Sequence, residues 1–229
     1  MRSIALIGPD GAGKTTLSRM LQQSPVLRLK YIYMGIEIRK SNITLPTSRW
    51  IERVKERGSR RDAKSRDDAS GPARRGIGAA AWAAARLTNR LAEEWFRQTA
   101  SWYYQVRGFT VLYDRHFVFD FAPEVAGHPR EPLDKRIHRW CISTFYPRPD
   151  LTVFLDAPGT LLFARKGELS ASELERRRQA FLQVGQRIPG FVRVDATRRV
   201  DIVYAEIVRH VEALSRGSGR GRSRAAEGG

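Results

Sequence analysis

The chain has almost no cysteine and no long apolar run. Cys141 is its only cysteine, so a disulfide within the chain and a metal site built from several cysteines are excluded. No uninterrupted run of about 18 apolar residues occurs, which argues against a membrane-spanning helix. A strand pattern begins by residue 3, so we expect no signal peptide. These absences predict a protein of the reducing cytoplasm.

Acidic residues are also few relative to basic ones. The 229 residues include 41 Lys or Arg and 24 Asp or Glu, a formal net charge of +17. Residues 39–78 hold twelve basic and five acidic residues, a net of +7, and residues 216–229 hold four Arg and one Glu, a net of +3. Such clusters favour phosphate-rich partners, although charged segments are more often simply solvated. The tail has no aromatic residues on which bases could stack.

Five short apolar segments alternate with helical patterns. The predicted strands are residues 3–8, 26–35, 109–116, 149–158 and 190–197, and the predicted helices are residues 13–24, 79–108, 134–146, 170–186 and 198–215. This alternation predicts an α/β fold of the P-loop NTPase type, a five-stranded parallel sheet with helices on both faces. Ligands of such sheets bind at the carboxyl ends of the strands, where Gly8, Asp114, Asp156 and Asp195 lie.

We expect one domain over residues 1–215. Within it, residues 36–78 lack clear periodicity and are interpreted as a basic, mobile insertion, and residues 216–229 as a disordered basic tail. Trp95 and Trp102 fall on one helical face with other apolar residues, so we expect them to pack in the core. Ser172 and Glu175 have the spacing of a capping box.

The stretch after the first strand matches the pattern G-x-x-x-x-G-K-[ST] in full. Glycines let the backbone wrap closely around phosphates, and the following helix N-terminus adds partial positive charge. Lys14 is then placed to reach the β- and γ-phosphates, and the Thr15 hydroxyl to ligate Mg²⁺. The motif therefore predicts a nucleoside triphosphate site, with ATP as the expected ligand. Its residues are Gly8, Pro9, Asp10, Gly11, Ala12, Gly13, Lys14, Thr15 and Thr16.

Neither acidic strand end carries the second carboxylate that a hydrolysing ATPase commonly uses to activate water. Asp114 is followed by Arg115, and Asp156 is followed by Ala157. An Asp-Arg pair suits transfer to a second substrate, with Asp114 near the metal or its water and Arg115 reaching an anionic acceptor. The alternative is a surface charge pair at a strand terminus.

The stretch "FARKGELSASELERRR" has the composition of a lid over phosphates. We place this lid at residues 160–178. An arginine there can stabilise the charge on a transferring phosphoryl group. An ordinary basic helix face is the alternative. The basic residues of the lid stretch are Arg165, Lys166, Arg176, Arg177 and Arg178.

Together these motifs resemble thymidylate kinase and related P-loop nucleoside monophosphate kinases. The resemblance covers residues 3–35 and 79–213, and also includes the strands "LDAP" and "VDAT". It implies phosphoryl transfer from ATP–Mg²⁺ to a small acceptor, catalysed with Lys14, Asp114 and Arg115. It places Asp10 near the acceptor sugar, Thr15 and Asp114 at the metal, and "DATRR" on the adenine side. Arg165 and Arg176 match the lid arginines best, and the absence of a basic residue inside the loop resembles the bacterial type. The resemblance also implies a homodimer, with Trp95 and Trp102 at its interface as the alternative to packing in the core.

Two stretches depart from the family. The segment "MGIEIRKSNITLP" replaces an Arg-Glu-Pro-Gly-Gly segment, and "HFVFDFAPEVAG" replaces a Ser-rich stretch that reads thymine. The acceptor half therefore looks rebuilt, with Asp120 and the basic insertion as candidate acceptor contacts. We expect a nucleoside monophosphate acceptor, dTMP being the first candidate. Three alternatives remain: a kinase of a nucleoside or sugar derivative, a nucleic-acid-associated P-loop ATPase, and a nucleotide-binding regulator that transfers nothing.

Overall fold

The computed structural model describes residues 2–35, 41–48, 77–116, 119 and 133–226. Five strands and six helices have both ends within these ranges. The strands are β1 (Ser3–Ile7), β2 (Leu29–Tyr33), β3 (Thr110–Asp114), β4 (Leu151–Asp156) and β5 (Phe191–Asp195). The helices are α1 (Lys14–Gln22), α2 (Ile77–Val106), α3 (Leu133–Phe145), α4 (Gly159–Lys166), α5 (Ala171–Gly185) and α6 (Val200–Ala226).

The strands form one parallel sheet in the order β2-β3-β1-β4-β5. Parallel neighbours require long crossover connections, which the intervening helical segments provide. The predicted α/β class and five-stranded parallel sheet are therefore confirmed. Because β1 lies between β3 and β4, the order reverses beside β1, and ligands of open α/β sheets bind at such a point.

Apolar side chains are buried on both faces of the sheet. Successive residues of a strand point to opposite faces, so Ile4 and Leu6 join one core cluster while Ala5 and Ile7 join the other. Burying a leucine or isoleucine side chain stabilises the fold by about 1.5–3 kcal/mol. The first cluster contains Leu17 and Leu21 of α1, Leu162 of α4 and Val203, Ile207 and Val211 of α6. The second contains Ile142 of α3 and Phe181 and Val184 of α5.

The inward face of α2 is polar in its middle turns. Trp95 and Trp102 contact each other, with ring centroids 6.1 Å apart, but are 38% and 37% exposed. The expectation that both pack in the core is therefore wrong, because polar side chains occupy the buried stripe. The buried residues of that stripe are Glu93, Glu94, Arg97, Gln98 and Ser101.

Two helix ends differ from the sequence-based expectation. The cap of α5 is Ser170, whose hydroxyl accepts a hydrogen bond from the Glu173 N–H at 3.2 Å. The stretch S-A-S-E-L-E offers two capping registers, and the predicted pair, Ser172 and Glu175, is the wrong one. Helix α6 continues through residues 216–226, which the glycine-rich composition assigns to a disordered tail.

Candidate functional site

A glycine loop, Gly8–Thr15, joins β1 to α1 where the strand order reverses. Gly8 and Gly11 have φ angles of 153° and 88°, which side chains disfavour. A Cβ on Gly8 would lie 2.9 Å from the Leu155 carbonyl oxygen, and one on Gly11 would lie 2.7 Å from that of Leu162. Both positions therefore require glycine for their backbone conformation and for their close packing against β4 and α4.

Lys14 folds back into the glycine loop. Its ammonium donates hydrogen bonds to the carbonyl oxygens of Gly8, at 2.7 Å, and Pro9, at 2.8 Å, and its side chain is buried. Carbonyl dipoles orient the ammonium but do not neutralise it. The loop thus carries a fixed positive charge beside the N-terminus of α1, whose partial positive charge adds to it. Such an arrangement suits a phosphate group.

Helix α1 begins with its first turn open to solvent. Its N-cap residue, Gly13, supplies no side-chain hydrogen bond to the first N–H groups. Thr15 and Thr16 are exposed there. A helix end of this kind leaves backbone donors for a ligand, and the Thr15 hydroxyl lies on the same turn.

Asp10 lies within a cationic cluster, which we define as Lys14, Arg115, Lys166 and Arg177 around Asp10. Arg115 Nη2 contacts Asp10 Oδ1 at 3.0 Å, while Lys166 Nζ lies 3.9 Å from Oδ1 and Arg177 Nη1 lies 3.9 Å from Oδ2. Partial burial raises the pKa of Asp10, but the four positive charges outweigh it and lower that pKa below its ordinary value. Lys166 also pairs with Glu168 at 2.9 Å and Arg177 with Glu173 at 3.2 Å, so the four cations face three carboxylates and the site keeps a smaller positive excess.

Asp114 ends β3 in a buried position, and Tyr31 of β2 contacts it. The Tyr31 hydroxyl donates a hydrogen bond to Asp114 Oδ2 at 2.9 Å. Burial, together with the Asp114 charge and this hydrogen bond, raises the pKa of Tyr31 well above its ordinary value. The phenol therefore stays protonated and remains a donor at neutral pH, which fixes one oxygen of the Asp114 carboxylate.

Thr15 and Asp114 fit the donor set that Mg²⁺ prefers. Mg²⁺ uses one or two protein carboxylates together with substrate phosphates and water. A hydroxyl on the exposed first turn of α1 and an oriented carboxylate at the end of the adjacent β3 supply such a set. We found no group of three or more His, Cys, Asp or Glu side chains able to hold a metal within the described ranges, and a Mg²⁺ shared with a nucleotide needs none.

Arg115 turns the chain sharply after β3. Its φ is 66°, a left-handed conformation that costs a residue with a side chain about 1 kcal/mol or more. Its N–H donates to the Leu6 carbonyl oxygen at 3.2 Å, which ties the turn to β1. The turn directs the guanidinium to Asp10 in the glycine loop.

Asp156, at the end of β4, is occupied by two guanidinium groups. Arg178 Nε and Nη2 donate to its two oxygens, and Arg193 Nε donates to Oδ2. Arg178 also donates to Glu175 Oε1 at 2.6 Å. These acceptors raise the pKa of Arg178 above its ordinary value despite partial burial. Asp156 therefore anchors α5, and both of its oxygens already accept hydrogen bonds from guanidinium groups.

The two predicted lid arginines contact groups other than Asp10. Arg165 Nη1 donates to the Ala196 carbonyl oxygen at 3.0 Å, in the segment after β5. Arg176 pairs with Glu173 at 2.8 and 2.9 Å, a contact that lowers the pKa of Glu173 to about 2. Their sequence neighbours, Lys166 and Arg177, approach Asp10 instead. Within each basic run, the helical face that meets the glycine loop decides which residue approaches Asp10.

Tyr31 is the contact that sequence reasoning missed. Alternation along β2 places it on the same face as Leu29 and Tyr33, and Tyr33 pairs with Asp114 in the sheet. The register of β2 against β3 therefore brings the Tyr31 hydroxyl to Asp114, and a single sequence does not contain that register. The predicted acceptor residue Asp120 and most of the basic insertion lie outside the described residues. In the described part of the chain, no helix is both long and apolar enough to cross a bilayer.

Comparison with known proteins assigns the chain to no family. No protein-family model matches the chain, and no curated protein matches it. The resemblance to thymidylate kinase therefore rests on the motifs alone.

Proposed function

We propose that the chain is an ATP-dependent phosphotransferase of the P-loop kinase type, which moves the γ-phosphoryl group of ATP to a nucleoside monophosphate, with dTMP the first candidate. The observation that carries the proposal is the position of Lys14. Its buried ammonium is held by two carbonyls of the glycine loop at the N-terminus of α1, and three more cations converge on Asp10 beside it.

Phosphoryl transfer depends on positioning and on charge neutralisation more than on covalent chemistry. Lys14 and the open first turn of α1 would hold the β- and γ-phosphates. Lys166 and Arg177 reach the same loop from α4 and α5, so they would neutralise charge on the transferring group. Mg²⁺, held by Thr15 and Asp114, would supply further charge neutralisation at the phosphates.

Transfer to an acceptor agrees better with the acidic groups than hydrolysis does. Both Asp156 oxygens accept hydrogen bonds from Arg178 or Arg193, and these two positive charges make Asp156 a poor base for activating water. Asp114 is oriented by Tyr31 and followed by Arg115. At this edge of the described sheet, no unengaged second carboxylate stands beside Asp114.

The acceptor would approach from the side of β3. Arg115 already contacts Asp10, so a hydrogen-bond donor and an acceptor lie side by side at the glycine loop. In the proposed complex the guanidinium attracts the acceptor's phosphate while the Asp10 carboxylate, whose pKa is lowered, accepts a hydrogen bond from a sugar hydroxyl. A nucleoside monophosphate offers both groups.

An ATP-consumption assay with and without candidate acceptors tests this proposal. The acceptors are dTMP, other nucleoside monophosphates, nucleosides and sugar phosphates. We expect turnover that depends on one acceptor, with the phosphorylated product identified by mass spectrometry. Lys14→Ala should lower kcat by about 100-fold or more, whereas Arg86→Ala, a basic residue on the exposed face of α2, should leave the rate unchanged.

Two outcomes would overturn the proposal. One is ATP loss that needs no small acceptor and rises when DNA or RNA is added, which would indicate a nucleic-acid-associated ATPase. The other is tight ATP binding, lost in Lys14→Ala, with no transfer to any acceptor, which would indicate a nucleotide-binding regulator.

A further inference from the structure

A row of cationic and aromatic side chains lies at the edge of the sheet opposite the glycine loop. Arg28 immediately precedes β2, and Phe109 immediately precedes β3, so both lie at the amino-terminal ends of their strands. The glycine loop, by contrast, follows the carboxyl end of β1. We define the cation–aromatic row as Arg28, Lys30, Tyr103, Tyr104, Arg107 and Phe109.

Each cation of the row lies over an aromatic ring. The distance from cation to ring centroid is 5.2 Å for Arg28 and Phe109, 4.9 Å for Lys30 and Tyr104, and 4.5 Å for Arg107 and Tyr103. The rings also contact one another edge to face, Tyr103 with Tyr104 at 5.3 Å and Tyr104 with Phe109 at 6.2 Å. The six side chains are therefore in continuous contact.

The positive charges of the row are not neutralised by acids. Within the described part of the chain, Arg28, Lys30 and Arg107 form no ion pair. The start of β3 is hydrogen-bonded on both sides: the Thr110 N–H donates to the Arg28 carbonyl oxygen at 2.9 Å, and the Val111 N–H donates to that of Arg2 at 3.0 Å. Arg28 and Arg2 thus precede the two strands, β2 and β1, that flank β3.

Tyr103 is the exposed ring of the row, whereas Tyr104 and Phe109 are half-buried. Tyr103 is 51% exposed, and Arg28 and Arg107 are exposed beside it. Unneutralised cations attract phosphates, while aromatic rings and guanidinium planes provide surfaces on which bases stack. Bases in a duplex have their faces covered by neighbouring pairs, so this combination favours a single strand.

We propose that the cation–aromatic row is a binding surface for single-stranded nucleic acid. The phosphates contact Arg28, Lys30 and Arg107, and a base stacks on Tyr103. The surface is remote from the glycine loop, so the proposal does not depend on the phosphotransferase proposal and is tested without turnover.

The test measures fluorescence anisotropy of labelled oligothymidylate and oligouridylate, each about 20 nucleotides long, against the full chain at several salt concentrations. The variant Arg28→Gln/Lys30→Gln/Arg107→Gln should bind less tightly, and its plot of log K against log salt should be less steep by about 2, because each lost phosphate contact removes about 0.7 from the slope. Tyr103→Leu should lower the affinity about 5-fold or more while leaving the slope unchanged.

A matched variant controls for net charge. Arg86→Gln/Arg187→Gln/Arg209→Gln removes the same charge from exposed positions elsewhere and should lose far less affinity. This control is needed because the basic segments at 39–78 and 216–229 attract any polyanion. Thermal unfolding followed by circular dichroism checks that every variant is folded.

Four outcomes would overturn the proposal. Equal losses in the two triple variants would reduce the binding to net charge. Unchanged affinity of Tyr103→Leu would remove the stacking contact. Duplex DNA bound as tightly as the single strands, with the same dependence on Tyr103, would contradict the preference for single strands. Loss of binding to phosphatidylserine vesicles in the row variant, with its oligonucleotide binding intact, would assign the surface to membranes.

Discussion

Replacing Arg97 by methionine is expected to lower the free energy of unfolding by about 3–5 kcal/mol. Arg97 is 1% exposed, and its Nε and Nη2 donate to Glu93 Oε1 at 3.1 and 2.9 Å. Its Nη1 donates to the Gly35 carbonyl oxygen at 2.9 Å. The pair therefore ties α2 to the segment that follows β2.

The magnitude follows from what the substitution leaves behind. Glu93 Oε2 keeps two donors, the Leu45 N–H at 2.8 Å and the Ser48 hydroxyl at 2.7 Å, but Glu93 Oε1 and the negative charge lose their partner inside the protein. Breaking a buried pair from one side costs about 3–5 kcal/mol, out of a typical total of 5–15 kcal/mol. The loss should therefore be evident in any unfolding measurement.

Urea denaturation followed by circular dichroism measures this loss. The double variant Arg97→Met/Glu93→Gln removes the uncompensated charge of Glu93 but keeps an acceptor for Leu45 and Ser48. Its free energy of unfolding should therefore be about 2 kcal/mol higher than that of Arg97→Met. Arg86→Met, on the exposed face of the same helix, should change stability by less than about 0.5 kcal/mol. The reasoning is refuted if Arg97→Met costs less than about 1 kcal/mol, or if the double variant is no more stable than the single one.

Three further predictions concern the site and its supporting helices. Arg177→Gln should lower kcat by about 10- to 100-fold and Arg176→Gln by much less, because Arg177 is the one of the two that approaches Asp10. Equal effects of the two variants in steady-state kinetics would contradict the placement of Arg177 in the site. Tyr31→Phe should raise the Mg²⁺ concentration needed for half-maximal rate by several-fold through looser orientation of Asp114, and an unchanged Mg²⁺ titration would remove Tyr31 from the site. Ser170→Ala should cost about 1 kcal/mol through the lost cap of α5, seen as a melting temperature lowered by about 2–4 °C; an unchanged melting temperature would show that the cap does not contribute.

The fold was predictable because its signals are local. Five apolar segments alternate with helical patterns, and Gly8–Thr15 contains every residue of its motif, so neighbouring residues alone predict the sheet and the loop. Each predicted strand contains the observed one. The α/β class requires no knowledge of distant contacts.

The details of the site were less predictable because they depend on how elements meet. Adjacent helical residues differ by about 100° in direction, so the choice between Arg176 and Arg177 depends on the rotation of α5 about its axis. The contact of Tyr31 with Asp114 depends on the register of β2 and β3. The partial exposure of Trp95 and Trp102 was unpredictable for a related reason. The aromatic pattern on α2 does not indicate that charged residues such as Glu93 and Arg97 pair with each other in the buried stripe.

The contact between Gly11 and α4 has an evolutionary consequence. Any Cβ at position 11 would meet the Leu162 carbonyl oxygen at 2.7 Å, and α4 cannot easily retreat, because Leu162 is fully buried and the Gly159 N–H is held by Glu175 at 2.9 Å. A lineage that replaced Gly11 would have to rebuild the start of α4 in the same step. The loop and α4 are therefore expected to be inherited together, so that homologues which exchange one should differ in the other.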